Sequence, residues 1–267
     1  MSSVRLKVIA AVTVGLITAA GAVPAFAASA VPNWGGPPPP PPPPPPPRAI
    51  AASSTGKAMN VVVNVSGQVS SLLNQVMASD NKITAYNERT SLPTYTKTTA
   101  FKGGLTLTGN ARTLTSIASA TSTTASGQRT ANASAAIGSL GLTIKNGTAT
   151  LMTLTGTRLS SKSAFLATTT GVRRPSGGTS IGGVTINSAA FGAKNVKFSG
   201  TPTANKVLFH TLDGTVVIYA NRQTTTKAAN GKPASIKVNA ISVQLTKFKN
   251  AGKTITGNLE IATSIAN

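Results

Sequence analysis

Side chains that could act as acids, bases or metal ligands are scarce in this sequence. The chain has 267 residues but only four Asp and Glu, one His and no Cys. These groups are Asp80, Glu88, Asp213, Glu260 and His210. No two acids are spaced for paired general acid and base catalysis, and a single histidine cannot complete a tetrahedral metal site. We therefore predict no catalytic residues, no metal site and no cofactor.

The few titratable groups have simpler expected roles. Asp213 precedes Gly214, and this pair predicts a hairpin turn. Glu260 alternates with apolar residues, which places it as a solvated charge on the polar face of a strand. His210 has no accompanying nucleophile motif, so we expect it to serve packing or to lie at the surface. A secreted enzyme acting on polysaccharide through these few groups is the alternative.

Basic residues dominate the charge. There are 25 Lys and Arg, which gives a formal net charge of +21. Almost no acids neutralise them, so a positive field should surround the protein whatever its fold. This predicts a non-catalytic surface or matrix domain that binds an anionic envelope or extracellular polymer; a role of the charge in solubility alone is the other interpretation. The candidate contacts are the local groupings Arg173, Arg174, Lys194, Lys197, Lys237, Lys247, Lys249 and Lys253.

Two further binding hypotheses depend on other residue types. Stacking on single-stranded nucleic acid needs aromatic rings among basic residues, and the best candidates are Tyr95, Phe101 and Phe248, the last of which we expect to be a packing residue. Non-specific, salt-sensitive adsorption of nucleic acid stays open. Thr-x-Thr elements such as Thr106-Leu107-Thr108 and Thr153-Leu154-Thr155 could form hydroxyl ladders, and an ice-binding protein is therefore a second alternative.

The N-terminus predicts export. Arg5 and Lys7 precede an uncharged apolar stretch, and Ala25-Phe26-Ala27 has the small-x-small pattern of a cleavage site. We predict a signal peptide over residues 1–27 and no membrane-spanning segment after its removal. The mature protein should be secreted, either extracellular or associated with the cell envelope. The lack of cysteine is then informative, since a domain of this length can fold without disulfides.

A stiff spacer should follow the signal. Pro37 to Pro47 is an unbroken run of eleven prolines, which must adopt the polyproline II conformation and would span about 34 Å. We interpret residues 28–53 as a spacer; a ligand for an aromatic-grooved module is the alternative.

The rest of the chain, 54–267, predicts an all-β domain. Apolar and polar residues alternate with period two, most clearly from Ile255 to Ile265. Asp213-Gly214, Asn146-Gly147 and Asn230-Gly231 mark turns between such runs. The phase changes at Ala240-Ile241, which predicts a β-bulge. One short helix is expected over 69–78, and an antiparallel β-sandwich of two sheets is the predicted fold.

A family resemblance runs through the same region, over about residues 55–267. It is carried by short strand, Gly and Asn patterns, namely Ala125–Gly127, Ala133–Ala135, Leu140–Leu142, Thr157–Ser161, Ser176–Asn187, Val216–Gln223 and Ser235–Ile241. In these the chain resembles the exported bacterial choice-of-anchor proteins, particularly the P-type group. The resemblance implies a secreted β-rich domain of undefined activity and transfers no catalytic residue. The sequence up to Asn267 shows no sorting motif, so we expect attachment to be non-covalent or to involve the spacer.

Overall fold

The computed structural model describes residues 40–43, 52–65, 67–73, 77–100, 104–250 and 252–267. The chain divides into two units, Met1–Pro44 and Pro45–Asn267. In the first unit only Pro40–Pro43 are described, and they are exposed and outside regular secondary structure. The predicted signal peptide lies outside the described residues, as does most of the predicted spacer.

The second unit is built from antiparallel strands, which confirms the predicted all-β, two-sheet domain. Thirteen strands are described: β1 (Ala52–Val65), β2 (Gln68–Leu73), β3 (Met77–Lys82), β4 (Tyr86–Ala100), β5 (Leu105–Ala120), β6 (Gln128–Asn146), β7 (Ala149–Thr168), β8 (Arg173–Ser188), β9 (Ala193–Gly200), β10 (Lys206–His210), β11 (Val216–Lys227), β12 (Pro233–Asn250) and β13 (Lys253–Ala266).

Two sheets of neighbouring strands pack face to face. The six-stranded sheet follows the chain in the order β4-β5-β6-β7-β8-β9, and the seven-stranded sheet has the order β10-β11-β12-β13-β1-β2, with β3 also paired to β1. β1 packs on β5 and β6, β13 on β6 and β7, and β12 on β7 and β8. β1 and β13 bring the two ends of the domain together, where the amide of Ser53 donates to the carbonyl oxygen of Asn267 at 2.9 Å.

The predicted hairpins are confirmed, whereas the predicted helix is wrong. β10 and β11 flank Asp213-Gly214, and β11 and β12 flank Asn230-Gly231. Asn146 is the last residue of β6, and Gly147 follows it in the turn to β7. Residues 69–78 fall in β2 and β3, except for 74–76, which are not described. β1 is long enough to pair with β3 along its first half and with β2 along its second half. Ladder hydrogen bonds to β1 therefore hold this segment extended, overriding its local helical spacing.

The phase change predicted at Ala240-Ile241 is present, but the β-bulge is not. β12 keeps one register with β13 and with β11 on both sides of Ala240. Instead, the residues opposite it have left-handed backbones, with φ of 47° at Ala262 and 51° at Asn221. A residue with positive φ turns the following side chain to the opposite face of the sheet without adding a residue to the strand. β11, β12 and β13 therefore change phase at residues that lie opposite one another, along one line across the sheet.

The six-stranded sheet has a matching line. Thr113 and Arg158 have φ of 55° and 48°, and Gly138 lies between them on β6. The long strands that cross these lines therefore each consist of two halves whose side chains alternate in opposite phase. We call these lines the kinks of the two sheets.

The core differs on the two sides of the kinks. One cluster of buried side chains is rich in Leu, Ile and Val and includes an edge-to-face pair of Phe191 and Phe248, with ring centroids 4.5 Å apart. In the other cluster seven of eleven residues are alanine. There the sheets approach so closely that a Cβ on Gly56 would lie 2.3 Å from the carbonyl oxygen of Ser134. Small side chains thus allow the two sheets to pack closely, and large aromatic side chains are not needed to fill the space between them.

A buried arginine closes the alanine-rich end. Arg129 is 1% exposed, and its guanidinium donates to the carbonyl oxygens of Lys82 (2.5 Å), Thr84 (2.8 Å) and Ile83. Burial lowers the pKa of Arg129 from its usual value. These hydrogen bonds tie the turn between β3 and β4 to β6.

We expect Arg129→Met to lower the free energy of unfolding by about 2 kcal/mol, because charge-assisted hydrogen bonds to three carbonyls are lost. Urea denaturation followed by circular dichroism measures this change. Arg89→Met removes an exposed arginine and should change stability by no more than about 0.5 kcal/mol. Equal effects of the two substitutions would show that the carbonyl contacts are not stabilising.

Candidate anion-binding face

The eight basic residues predicted as contacts do not form one site. Arg173, Arg174, Lys194 and Lys197 lie on β8 and β9 of the six-stranded sheet, whereas Lys237, Lys247, Lys249 and Lys253 lie on β12 and β13 of the other sheet. The outer faces of two packed sheets point in opposite directions. The structure therefore divides the predicted set in two.

The outer face of the six-stranded sheet gathers a different set of cations. Residues on this face alternate with core residues; Lys162, for example, lies between the buried Ser161 and Ser163. By the same alternation and by strand register the face includes seven exposed basic residues, namely Arg89, Arg112, Lys145, Arg158, Lys162, Arg174 and Lys197. We call this the cationic face.

Five of these residues were missed from the sequence: Arg89, Arg112, Lys145, Arg158 and Lys162. None of them has another basic residue within three positions along the chain, and strand pairing brings them onto one surface. The available signal was the phase of each cation relative to its apolar neighbours. The kink obscures that signal, because the outward phase differs on the two sides of it.

All four carboxylates of the chain lie away from the cationic face. Asp80 pairs with Lys82 at 2.7 Å, and Glu88 is on the opposite side of β4, in register with the buried Ala118. Asp213 is in the β10–β11 turn. No acid on this sheet's outer face therefore neutralises its basic residues.

Glu260 is less solvated than its alternation pattern suggested. Its side chain is 13% exposed. It pairs with Lys237 and accepts a hydrogen bond from the Asn60 side-chain nitrogen at 3.3 Å. This ion pair partly neutralises the seven-stranded sheet and makes Lys237 a poorer contact for an external anion than an unpaired lysine.

Two grooves indent the cationic face, one on each side of its kink. The Lys162 groove has a volume of about 690 Å³ and includes Asn132, Ser134, Ser160 and Ser180. The Lys197 groove has a volume of about 670 Å³ and includes Ser139, Thr155, Thr157 and Thr185. Each groove thus contains one ammonium group among many hydroxyl groups.

Strand register also aligns threonines across this face. Thr98, Thr108, Thr143 and Thr153 occupy one row over β4 to β7, and the hydroxyl oxygens of Thr98 and Thr108 are 3.0 Å apart. The neighbouring row contains Asn110 and Gly141 in place of two threonines. Threonine hydroxyls thus form one continuous row over four strands, and the neighbouring row contains other residue types. The ice-binding alternative stays a prediction.

The aromatic candidates for base stacking do not contribute to the cationic face. Phe248 is 9% exposed and packs on Phe191, which confirms it as a packing residue. Tyr95 packs against the core, and burial raises the pKa of its hydroxyl. Phe101 lies outside the described residues.

Two of the scarce titratable groups share a groove elsewhere. His210 and Asp213 both line a surface groove beside Phe209. His210 is exposed, with Nδ1 3.1 Å from the carbonyl oxygen of Thr211. Hydrogen bonds lower the pKa of Asp213, first from the Thr211 hydroxyl and then from the amide and hydroxyl of Thr215. Asp213 is therefore a turn-forming carboxylate and a poor proton donor near neutral pH.

Comparisons with known proteins identify no family for this chain. No family model and no curated protein matches the chain, so the resemblance to choice-of-anchor proteins stays a prediction. Among solved structures, the chain has a weak likeness to Ail, the attachment invasion locus protein of Yersinia pestis, in complex with the heparin analogue sucrose octasulfate. It has 10% identity and a TM-score of 0.19, with 81% of this chain and 97% of that chain covered. At that TM-score the likeness supports no inference about function.

The described part of the chain contains no helix of the length and apolar character needed to cross a membrane. Within the same residues no three His, Asp or Glu side chains come together as a group that could hold a metal ion.

Proposed function

We propose that this protein is an exported, non-catalytic binding domain that associates with an anionic polymer of the cell envelope or extracellular matrix. The observation that carries the proposal is the cationic face: seven exposed basic residues on one sheet, with every carboxylate of the chain elsewhere. Such a surface attracts a polyanion at several points along the polymer, and counterions are released from the polymer when it binds.

The shape of the face agrees with an extended partner. Its strands are long, from 15 to 20 residues in β4 to β7, and its cations are distributed over the sheet. A compact anion would meet one or two of these charges, whereas a polymer lying across the strands can meet several at once. Multiple weak contacts on one chain give useful affinity through effective concentration.

Salt dependence tests this proposal. We expect the domain to be retained on isolated anionic envelope polymer and on immobilised polyphosphate, and the logarithm of the association constant should fall linearly with the logarithm of salt concentration. If about five cations each displace one counterion from polyphosphate, the slope should be about −4. Titration at several salt concentrations measures the slope. Absence of retention, or retention that salt does not weaken, contradicts the proposal.

A further inference from the structure

We infer that the partner of the cationic face is a hydroxylated polyanion, with one anionic group and free hydroxyl groups in each repeat, that occupies the Lys162 and Lys197 grooves together. This inference rests on the proposed function and specifies the chemical class of its ligand. Glycerol phosphate polymers and uronic acid polysaccharides share this chemistry.

The composition of the grooves carries the first step. Each is lined by a single basic side chain, Lys162 or Lys197. The remaining lining is mostly hydroxyl-bearing or backbone, including Thr155, Thr157 and Ser199 in the Lys197 groove. One ammonium group matches one anion, and the surrounding hydroxyls can both donate to and accept from alcohol groups of a ligand. A hydroxyl-free polyanion such as polyphosphate would leave these groups to water.

The scarcity of aromatic rings on this face, in the described strands β4 to β9, supports the same class. Phe198 lines the Lys197 groove, but it is in register with the buried Val184 and packs against the core. Ile117 and Leu166 are apolar residues that face outward on this sheet, and neither offers an aromatic surface. Single-stranded nucleic acids gain much of their affinity from stacking on aromatic side chains. A ligand recognised through charge and hydroxyl groups needs no such surface.

The separation of the grooves gives a length requirement. Lys162 is in register with Gly178, and Lys197 with Thr185, so the two lysines are seven residues apart along β8 and two strands apart across the sheet. On an unbent sheet this corresponds to about 25 Å. An oligomer long enough to bridge this distance engages both grooves and gains affinity by avidity, whereas a shorter one engages a single groove.

Paired threonine substitutions test the role of the hydroxyls. Thr155→Val with Thr157→Val removes two exposed hydroxyls of the Lys197 groove while keeping side-chain shape and strand preference. We expect about a fivefold to tenfold loss of affinity for polygalacturonate, for poly(glycerol phosphate), or for both, and no change for polyphosphate. A loss for one polymer alone identifies the source of the anionic group, and a loss for both assigns the effect to the hydroxyl groups that the two polymers share. Thr96→Val with Thr98→Val, two exposed threonines on β4 outside both grooves, is the matched control and should change none of the three affinities.

A length series of the same polymers tests the bridging of the grooves. Affinity per oligomer should increase sharply once the chain exceeds about 25 Å. The inference is overturned if the groove variant loses affinity equally for polyphosphate, if it loses none, or if affinity grows smoothly with length. Failure of the unsubstituted protein to bind any of the polymers contradicts the proposed function itself, which separates the two outcomes.

Discussion

We expect Gly56→Ala to lower the free energy of unfolding by about 3 kcal/mol, because an added methyl group overpacks a place where the two sheets approach closely. The new Cβ would lie 2.3 Å from the carbonyl oxygen of Ser134 and 3.2 Å from the backbone nitrogen and oxygen of Ile117. These are backbone atoms of the facing sheet, held by strand pairing on both sides. A rotamer change cannot relieve the contact, so the two sheets must separate. Chemical denaturation of the purified variant measures the loss.

Gly178→Ala is the matched control. Gly178 is also a strand glycine, without a left-handed backbone, and a Cβ there meets nothing within 4 Å. We expect its stability to stay within about 0.5 kcal/mol of the original, or to increase slightly as the unfolded chain loses freedom. If both variants behave alike, the close approach of the sheets near Gly56 is wrong.

The alternation of apolar and polar residues predicts the strands, but it does not predict how the two sheets pack against each other in the core. Period two needs only that successive side chains point to opposite faces, and Ala and Ser satisfy it as well as Leu. Which faces meet, and how closely, depends on residues far apart in the chain, such as Gly56 on β1 and Ser134 on β6. Hairpin turns were predictable because Asp213-Gly214 and Asn146-Gly147 specify their geometry locally.

The errors have the same origin. The segment 69–78 has local spacing that suits a helix, but pairing with both halves of β1 decides its structure. At Ala240 the sequence shows a change of phase, for which an extra residue is the usual cause. The left-handed residues Asn221 and Ala262 lie on neighbouring strands, and their effect is visible only when the strands are aligned.

The candidate site was predictable in chemistry but not in position. The shortage of acids was visible at once, and it favoured an anionic partner. Grouping along the chain favoured neighbours such as Arg173 and Arg174, whereas the sheet brings together cations that are isolated in sequence, such as Arg112 and Lys145. On a broad sheet, neighbours in space are tens of residues apart, so local grouping is a poor guide to a binding surface.

We expect reversal of the two groove lysines to cause the largest loss of function. Lys162→Glu with Lys197→Glu removes two exposed cations and introduces two carboxylates on a face that has none. If each of the two lost contacts and each of the two new repulsions changes binding by about 1 kcal/mol at moderate salt, the affinity for anionic polymer should fall about 1,000-fold. Titration of labelled polymer at low and moderate salt measures the loss, and the salt slope should become shallower.

The control variant has the same change in net charge, but its substitutions lie outside the cationic face. Lys227→Glu with Lys249→Glu alters two exposed lysines on β11 and β12 of the seven-stranded sheet. A local site predicts a loss of no more than about threefold for this pair, since exposed charges separated by more than about 10 Å are largely screened. Equal losses for the two pairs would mean that the whole positive field attracts the polymer, in which case the cationic face has no special role. A large difference between the pairs requires a contact surface, because both variants carry the same net charge.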